Sequence, residues 1–229
     1  MILNETNLNE QLNSLFKKYN RLEVVKKYND KVIIEGEISI NRFINQFRLN
    51  KVYNIRIEIP LNSDVLPHVF DLNNKIEKQY PHRYKDGGLC LETDTFIRKH
   101  FISGFNIVDW MTDFVETYFV TYEFYKRFGE YPFGEREHGE QGIFGTYCQF
   151  FNEYDMTKVK KLMKYITYNN YRGHKLCPCG SKIKLRECHG ESIKEFCTNP
   201  ELKRILIEDY KSLIEKRNSY AKQYINQTK

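Results

Sequence analysis

The chain has 229 residues, of which 41% are hydrophobic and 15% aromatic, and this composition is typical of an ordered globular protein. The chain contains no apolar run near the roughly 18 residues that a membrane-spanning helix needs. The N-terminal stretch MILNETNLNEQLNSLFKKYN is polar and amphipathic, unlike a signal peptide. We therefore expect a cytoplasmic protein without a membrane partner, long enough for one good core and a small appendage.

Charge is distributed unevenly along the chain. Residues 1–156 carry a net charge of −4 and residues 157–229 a net charge of +10, within a total of +6. A basic C-terminal third is typical of proteins that bind nucleic acid or an acidic partner, but it is also common simply for solubility. The charge pattern therefore does not favour nucleic acid as the partner.

The first part of the chain predicts a helix followed by strands. Apolar residues fall at helical spacing over residues 5–20. The stretches KVIIEGEISI and QFRLNKVYNIRIEIP are rich in β-branched and aromatic residues, the second with clear alternation, and LPHVFDL is a further short strand. These patterns predict successive antiparallel strands beside an N-terminal helix.

The second part of the chain predicts helices. Residues 106–128 carry an apolar and aromatic stripe at helical spacing, typical of a helix packed against a core. The stretch GEYPFGEREHGEQG predicts a glycine-rich loop, and residues 157–167 and 201–224 predict two further helices. Strands first and helices afterwards indicate the α+β class.

The stretch LCPCGSKIKLRECHG combines three cysteines and a histidine in the spacing C-x-C-x8-C-H. In a cytosolic protein, clustered cysteines favour metal binding or catalysis over disulfides. Three thiolates and an imidazole are the ligands of a closed tetrahedral Zn²⁺ site, which leaves no position for water and is structural. The alternative is a reduced loop without metal. The stretch resembles the SEC-C zinc motif, and the expected ligands are Cys177, Cys179, Cys188 and His189.

The stretch YPHRYKDGGLCLETD places Cys90 two residues after a pair of glycines, and its residues allow two interpretations of this cysteine. A free cysteine is most often a small buried apolar side chain. Two glycines, Gly87 and Gly88, instead permit a loop that holds a thiol at the surface. In the second interpretation we expect Cys90 to be partly accessible. Its pKa need not be strongly depressed, because a thiol near the ordinary value is both a fair nucleophile and a sufficient leaving group.

The order of these features resembles the bacterial branch of the ubiquitin-conjugating enzyme family. The resemblance lies in a strand that ends in proline, a short strand, YPHRYKDGGLCLE, a tryptophan-containing helix at IVDWM and the loop PFGEREHGEQG. It implies an N-terminal helix and a four-stranded antiparallel meander with flanking helices. The expected domains are a ubiquitin-conjugating-enzyme-like domain at residues 1–155 and a helical zinc-binding appendage at residues 156–229.

The resemblance also implies an activity. Cys90 would accept an acyl group as a thioester from an activating enzyme and pass it to an amine of a target protein. The modifier would be a ubiquitin-like protein or the C-terminus of a cGAS-like nucleotidyltransferase, in a bacterial antiphage defence system. Zn²⁺ would be the only cofactor on this chain, because ATP is consumed upstream.

The residues around Cys90 depart from the eukaryotic pattern of the family, which has His-Pro-Asn before its cysteine. This chain has His82, Arg83 and Tyr84, so no asparagine occupies the matching place. The Tyr84 hydroxyl or the backbone N–H groups of the glycine loop are the alternatives for stabilising an oxyanion.

Two histidines are further candidates for the site. His82 either fixes the loop through a hydrogen bond or acts as an acid or base, and His138 either reaches the site from the EREHGEQG loop or is a solvated loop residue. Asp86 and Asp94 flank the cysteine and are candidate proton acceptors for an incoming amine.

Two other function classes stay open. One is a catalytically silent adaptor with the same fold, which binds a ubiquitin-like protein without forming a thioester. The other is a zinc-containing module that binds nucleic acid or protein, for which the basic C-terminal third is the only support. A cysteine within Leu-Cys-Leu favours the conjugating enzyme over the adaptor.

Overall fold

The computed structural model of the protein describes residues 3, 5–44, 46–134, 137 and 139–227. The chain divides into two compact units: the first consists of Met1–Asp94 and Ser103–Glu135, and the second of Thr95–Ile102 and Arg136–Lys229. The domain boundary expected between residues 155 and 156 stays a prediction.

The first unit is built on one antiparallel sheet that follows an N-terminal helix. Its four strands pair in chain order as an antiparallel meander. The elements are α1 (Glu5–Lys18), β1 (Leu22–Lys27), β2 (Lys31–Ile44), β3 (Phe47–Pro60) and β4 (His68–Asp71). The α+β class and the four-stranded antiparallel meander are thereby confirmed.

The alternation of apolar residues decides which face of the sheet is buried. In the register of β2 and β3, Val32 pairs with Ile59 and Ile34 pairs with Ile57, and none of these four side chains is exposed to solvent. Side chains alternate between faces along a strand, so the polar residues between them lie on the opposite face. One face of the sheet therefore forms the core of the first unit.

One long helical segment packs on this core. It consists of α3 (Ile107–Trp110), a π-helical segment (Met111–Glu116) and α4 (Thr117–Phe128), and it confirms the helix predicted at residues 106–128. The Phe119 ring stacks on the Tyr53 ring of β3 at a centroid distance of 4.1 Å. The hydroxyl of Tyr19, the residue after α1, donates a hydrogen bond of 2.7 Å to the buried Glu116 carboxylate. The helix thus joins the sheet to α1.

The second unit is helical. Its elements are α2 (Asp94–His100), which belongs to this unit from Thr95 onward, α5 (Gly139–Phe151), α6 (Met156–Tyr168), a 3-10 turn (Leu185–Glu187), α7 (Gly190–Thr198) and α8 (Pro200–Gln227). The positions of α6 and α8 confirm the two helices predicted there.

The predicted glycine-rich loop is wrong over residues 139–142, which form the first turn of α5. Glycine costs a helix about 1 kcal/mol relative to alanine. In α5 the buried rings of Phe144, Tyr147 and Phe151 offset that cost by packing in the core of the second unit. Tertiary packing therefore overrides the local preference of the glycines.

In the part of the chain that the structure describes, no helix is both long and apolar enough to span a bilayer.

Candidate functional site

The stretch that carries Cys90 folds as a tight hairpin in the first unit. Arg83 and Leu89 form an antiparallel bridge, and within it Tyr84 N donates to Gly88 O at 2.8 Å. At the open end, Cys90 N donates to His82 O at 2.9 Å. Cys90 therefore lies at the open end of a hairpin whose two arms are held together by backbone hydrogen bonds.

The two glycines are required by the turn of this hairpin. Gly87 has φ of 91°, in the left-handed region that disfavours other residues. At Gly88, an added Cβ would lie 3.2 Å from Asp86 Oδ1, which is tighter than ordinary packing, and would be in ordinary contact with the Tyr84 ring at 3.5 Å. Asp86 Oδ1 also accepts a hydrogen bond of 2.9 Å from Gly88 N. The glycines thus shape a defined turn, and Asp86 has a structural role within it.

Cys90 is half-buried, which confirms the expected partial accessibility, whereas Cys148 is buried. Burial raises the pKa of the Cys90 thiol, the Tyr84 hydroxyl lowers it by donating a hydrogen bond to the sulfur, and the Glu92 and Asp94 carboxylates add to the rise. The pKa of the Cys90 thiol is thus not depressed, in agreement with the expectation, because desolvation disfavours the thiolate. The thiol is the resting form.

In the structure the Tyr84 hydroxyl acts on the Cys90 thiol, and the His82 backbone accepts hydrogen bonds that hold the hairpin in place. The carbonyl oxygen of His82 accepts hydrogen bonds from Cys90 N and, at 2.9 Å, from the Tyr118 hydroxyl of α4. The His82 ring packs against Tyr80 and Tyr131, with centroid distances of 5.3 and 5.5 Å. These contacts hold the hairpin on the long helix.

The other candidates around Cys90 have different outcomes. His138 lies outside the described residues, so its proposed place near Cys90 stays a prediction. Asp94 contributes to the electrostatics of the thiol, and so does Glu92, which the sequence analysis missed. Glu92 follows Cys90 by two residues, and this proximity in the chain is the signal that points to it.

The cysteine cluster of the second unit brings together four ligand atoms. One ligand atom each from Cys177, Cys179, Cys188 and His189 lies within 4.8 Å of the others. His189 Nδ1 is 3.3 Å from Cys177 Sγ and 3.2 Å from Cys188 Sγ, and Cys179 Sγ is 3.7 Å from Cys188 Sγ. A tetrahedron of sulfurs about 2.3 Å from a central Zn²⁺ has edges of about 3.8 Å. The cluster therefore matches a tetrahedral Zn²⁺ site in donor type and spacing.

A short turn and a 3-10 segment build this cluster. Cys177 N donates to Ile183 O at 2.8 Å, and Gly180 N donates to Cys177 O at 3.1 Å, so the chain reverses around the first two sulfurs. The 3-10 turn at Leu185–Glu187 then delivers Cys188 and His189 immediately before α7. Cys177 and Cys179 are buried in the core of the second unit. The same residues therefore serve the core and the cluster.

The first unit combines an N-terminal helix, an antiparallel meander, a hairpin that ends in a half-buried cysteine and a long helix. This combination is that of an E2-like protein, the class of the ubiquitin-conjugating enzymes. The family model described as Type II CBASS E2 protein matches residues 11–139, more than half of the chain. The protein belongs to this family, which indicates a role in conjugation and antiphage defence alongside other CBASS proteins. No curated protein and no solved structure matches the chain.

Proposed function

We propose that Cys90 is the acyl carrier of a conjugating enzyme. The observation that carries this proposal is the half-buried thiol at the end of a hairpin held by backbone hydrogen bonds. The Tyr84 hydroxyl acts on this thiol and lowers its pKa, against the rise that burial causes. A structural cysteine in a core needs no polar partner, whereas a reacting sulfur benefits from a fixed donor. Membership of the Type II CBASS E2 protein family supports the same assignment.

The reaction consists of two acyl transfers. The Cys90 thiol loses its proton to solvent, and the thiolate attacks the carbonyl carbon of the thioester on the activating enzyme, whose cysteine leaves as a thiolate. In the second transfer a target amine attacks the thioester on Cys90, an amide bond forms, the C–S bond breaks and the amine proton is released. No metal or nucleotide on this chain takes part in either transfer.

The residues around Cys90 have separate proposed roles. The Tyr84 hydroxyl stabilises negative charge on the sulfur or on the oxygen of the tetrahedral intermediate. The Glu92 and Asp94 carboxylates raise the pKa of the thiol and favour a cationic amine approaching it, from which they accept the proton. His82 holds the hairpin through its carbonyl oxygen.

The proposed partners follow from the reaction. An activating enzyme supplies the acyl group, the modifier is a ubiquitin-like protein or the C-terminus of a cGAS-like nucleotidyltransferase, and a target protein supplies the amine. The conjugating domain is proposed at residues 1–155, with residues 156–229 as a zinc-bearing appendage.

We also propose that the four-residue cluster holds a structural Zn²⁺ in a SEC-C-like motif. The four donors fill a tetrahedral shell, so the ion supplies folding free energy to the segment and takes no part in catalysis. Its ligands would be Cys177, Cys179, Cys188 and His189.

The acyl-carrier proposal is tested by mixing the protein with its activating enzyme, a candidate modifier and ATP. A band that disappears on adding a reducing agent is expected for the wild type and absent for Cys90→Ala. Cys90→Ser is expected to form a slower-reacting oxyester that resists the reducing agent. Cys197→Ala, which removes another half-buried thiol, is the matched control and keeps the band.

Retention of the band in Cys90→Ala overturns the assignment. Absence of the band in the wild type, under conditions where the activating enzyme carries its own thioester, overturns it as well.

A further inference from the structure

A groove in the first unit lies between the first half of β3 and the C-terminal turns of α4, and its volume is about 660 Å³. Its lining consists of Phe47, Arg48, Leu49, Asn50 and Lys51 of β3 and of Glu123, Lys126 and Arg127 of α4. All of these residues belong to the first unit. None of them belongs to the site proposed around Cys90, so the groove needs an explanation of its own.

The stretch of β3 that lines this groove is a free edge of the sheet. β4 is short and pairs only with Ile55–Glu58 of β3. The loop after β4 adds one backbone hydrogen bond to Asn54 O and one of 2.6 Å from Lys75 Nζ to Val52 O. In the part of the chain that the structure describes, no strand pairs with this side of β3 over Phe47–Lys51. The groove therefore runs along an unpaired strand edge.

The same two hydrogen bonds show which backbone groups of β3 face the groove. Along a strand, successive residues direct their N–H and C=O groups alternately to the two sides. Asn54 and Val52 use theirs on the side of β4. By this alternation Asn50 and Arg48 direct theirs to that side as well, while the residues between them pair with β2. Such unpaired groups are the ones that an added strand binds.

The groove is basic. Its lining carries four cations and one acid, which are Arg48, Lys51, Lys126, Arg127 and Glu123. Lys51 Nζ lies 2.6 Å from Glu123 Oε2. Lys126 Nζ lies 2.9 Å from Glu77 Oε1. Among the described residues, the two arginines contact an amide oxygen and aromatic rings rather than a carboxylate. Two guanidinium groups beside a strand edge favour an acidic occupant.

The opposite edge of the sheet, formed by β1, differs from the edge of β3. Its pairing with β2 has a register shift between Val24 and Lys26, and Lys26 and Lys27 are exposed. Bulges and lysines are the devices by which proteins keep an edge strand from pairing. A second copy of the chain is likewise disfavoured on the edge of β3, because two basic grooves repel each other.

We propose that the free edge of β3 binds an extended acidic segment of a partner protein, which joins the sheet as an additional strand. In this mode of recognition the main-chain hydrogen bonds supply affinity and side-chain contacts supply selectivity. At about 3.4 Å per residue the stretch Phe47–Lys51 is roughly 17 Å long, so about five residues of the segment pair with it. The inference goes beyond the proposed acyl transfer and does not depend on Cys90.

The test selects binders to the full-length protein from a displayed library of random peptides, and affinities are measured by fluorescence anisotropy. We expect acidic residues to be enriched in the selected peptides. Asn50→Pro removes one N–H group from the free edge and leaves the pairing with β2 intact, so it should weaken binding about tenfold. Asn50→Val keeps this N–H group and is the matched control, with an affinity within about twofold of the wild type.

Two N-methylated versions of a selected peptide test strand addition without changing the protein. Only alternate residues of an added strand donate hydrogen bonds to β3. Methylation of one alternate set of amides should therefore abolish binding, and methylation of the other set should preserve it. Arg48→Gln should weaken binding about threefold, as expected for an exposed ion pair, whereas Lys27→Gln on β1 should leave it unchanged.

Each outcome decides the inference. Unequal effects of the two methylated sets, together with the loss of binding in Asn50→Pro, support it. No enrichment of acidic peptides, equal effects of the two sets or full binding to Asn50→Pro overturns it. A concentration-dependent dimer of the wild type that Asn50→Pro abolishes overturns it in favour of a second copy. Should Asn50→Pro lose the circular dichroism signal of the sheet, the methylated pair decides alone.

Discussion

Glu153 Oε2 lies 3.9 Å from His189 Nε2, the ring nitrogen that does not face the cysteine sulfurs. The other nitrogen, Nδ1, lies 3.3 Å from Cys177 Sγ. A histidine that binds a metal through one nitrogen commonly directs its second N–H to a carboxylate, which fixes the ring and increases its basicity. Glu153 is therefore placed to orient His189 from outside the four-residue motif.

The metal content of the purified protein tests whether the four-residue cluster binds Zn²⁺. We expect one Zn²⁺ per chain in protein purified without chelators, and loss of this metal in Cys177→Ser. The four ligands connect a segment too short to have its own core, so hydrogen exchange over residues 170–200 should accelerate while the sheet of the first unit stays protected. Cys197→Ser, outside the ligand set, is the control and should keep its metal. Freshly purified wild-type protein without metal would contradict this prediction.

Glu153→Gln tests the orienting contact. The amide keeps the size of the side chain but removes the negative charge near His189, so Zn²⁺ affinity should fall by roughly tenfold in competition with a chelator. Glu191→Gln, on the exposed first turn of α7, is the matched control and should leave the affinity unchanged. An unaltered affinity in Glu153→Gln would show that the carboxylate does not act on the ligand.

The pH dependence of Cys90 alkylation tests its electrostatic surroundings. The Tyr84 hydroxyl lowers the pKa of the thiol, so Tyr84→Phe should raise that pKa, reduce the thiolate fraction at a fixed pH and slow alkylation. Glu92 raises the same pKa, so Glu92→Gln should lower it and speed alkylation. The midpoints of the pH profiles should move in opposite directions, with Glu10→Gln on α1 as the unchanged control. Shifts in the same direction would contradict the two assignments.

A pair of glycine substitutions tests the turn before Cys90. Gly87→Ala places a side chain at a φ of 91° and should lower the unfolding free energy by about 1 kcal/mol. Gly145→Ala lies inside α5, where an added Cβ meets open space, and should raise it by about 0.5–1 kcal/mol. Thermal unfolding monitored by circular dichroism distinguishes the two. Equal effects of the two substitutions would mean that the turn tolerates an ordinary residue.

Local patterns in the sequence were sufficient to predict the strands and helices that bury one face of regular periodicity. The alternation in β2 and β3, the stripe of the long helix and the positions of α6 and α8 were all predicted, because one buried face imposes its period on the chain. β1 was not predicted separately, since five of its six residues are exposed and its sequence LEVVKK carries no alternation. The helices α2, α5 and α7 were missed because they are short or begin with glycine, and tertiary contacts hold them.

The sequence by itself determined the candidate chemistry: a cysteine after two glycines, and four metal-binding residues at a specific spacing. Only the tertiary structure decided which side chains act on those groups. The Tyr84 hydroxyl that acts on the Cys90 thiol and the Glu153 carboxylate beside His189 are interactions that no local pattern encodes. The physical reason is that spacing along the chain reports neighbours in one helix, strand or turn, whereas burial and hydrogen bonding depend on residues brought together by folding.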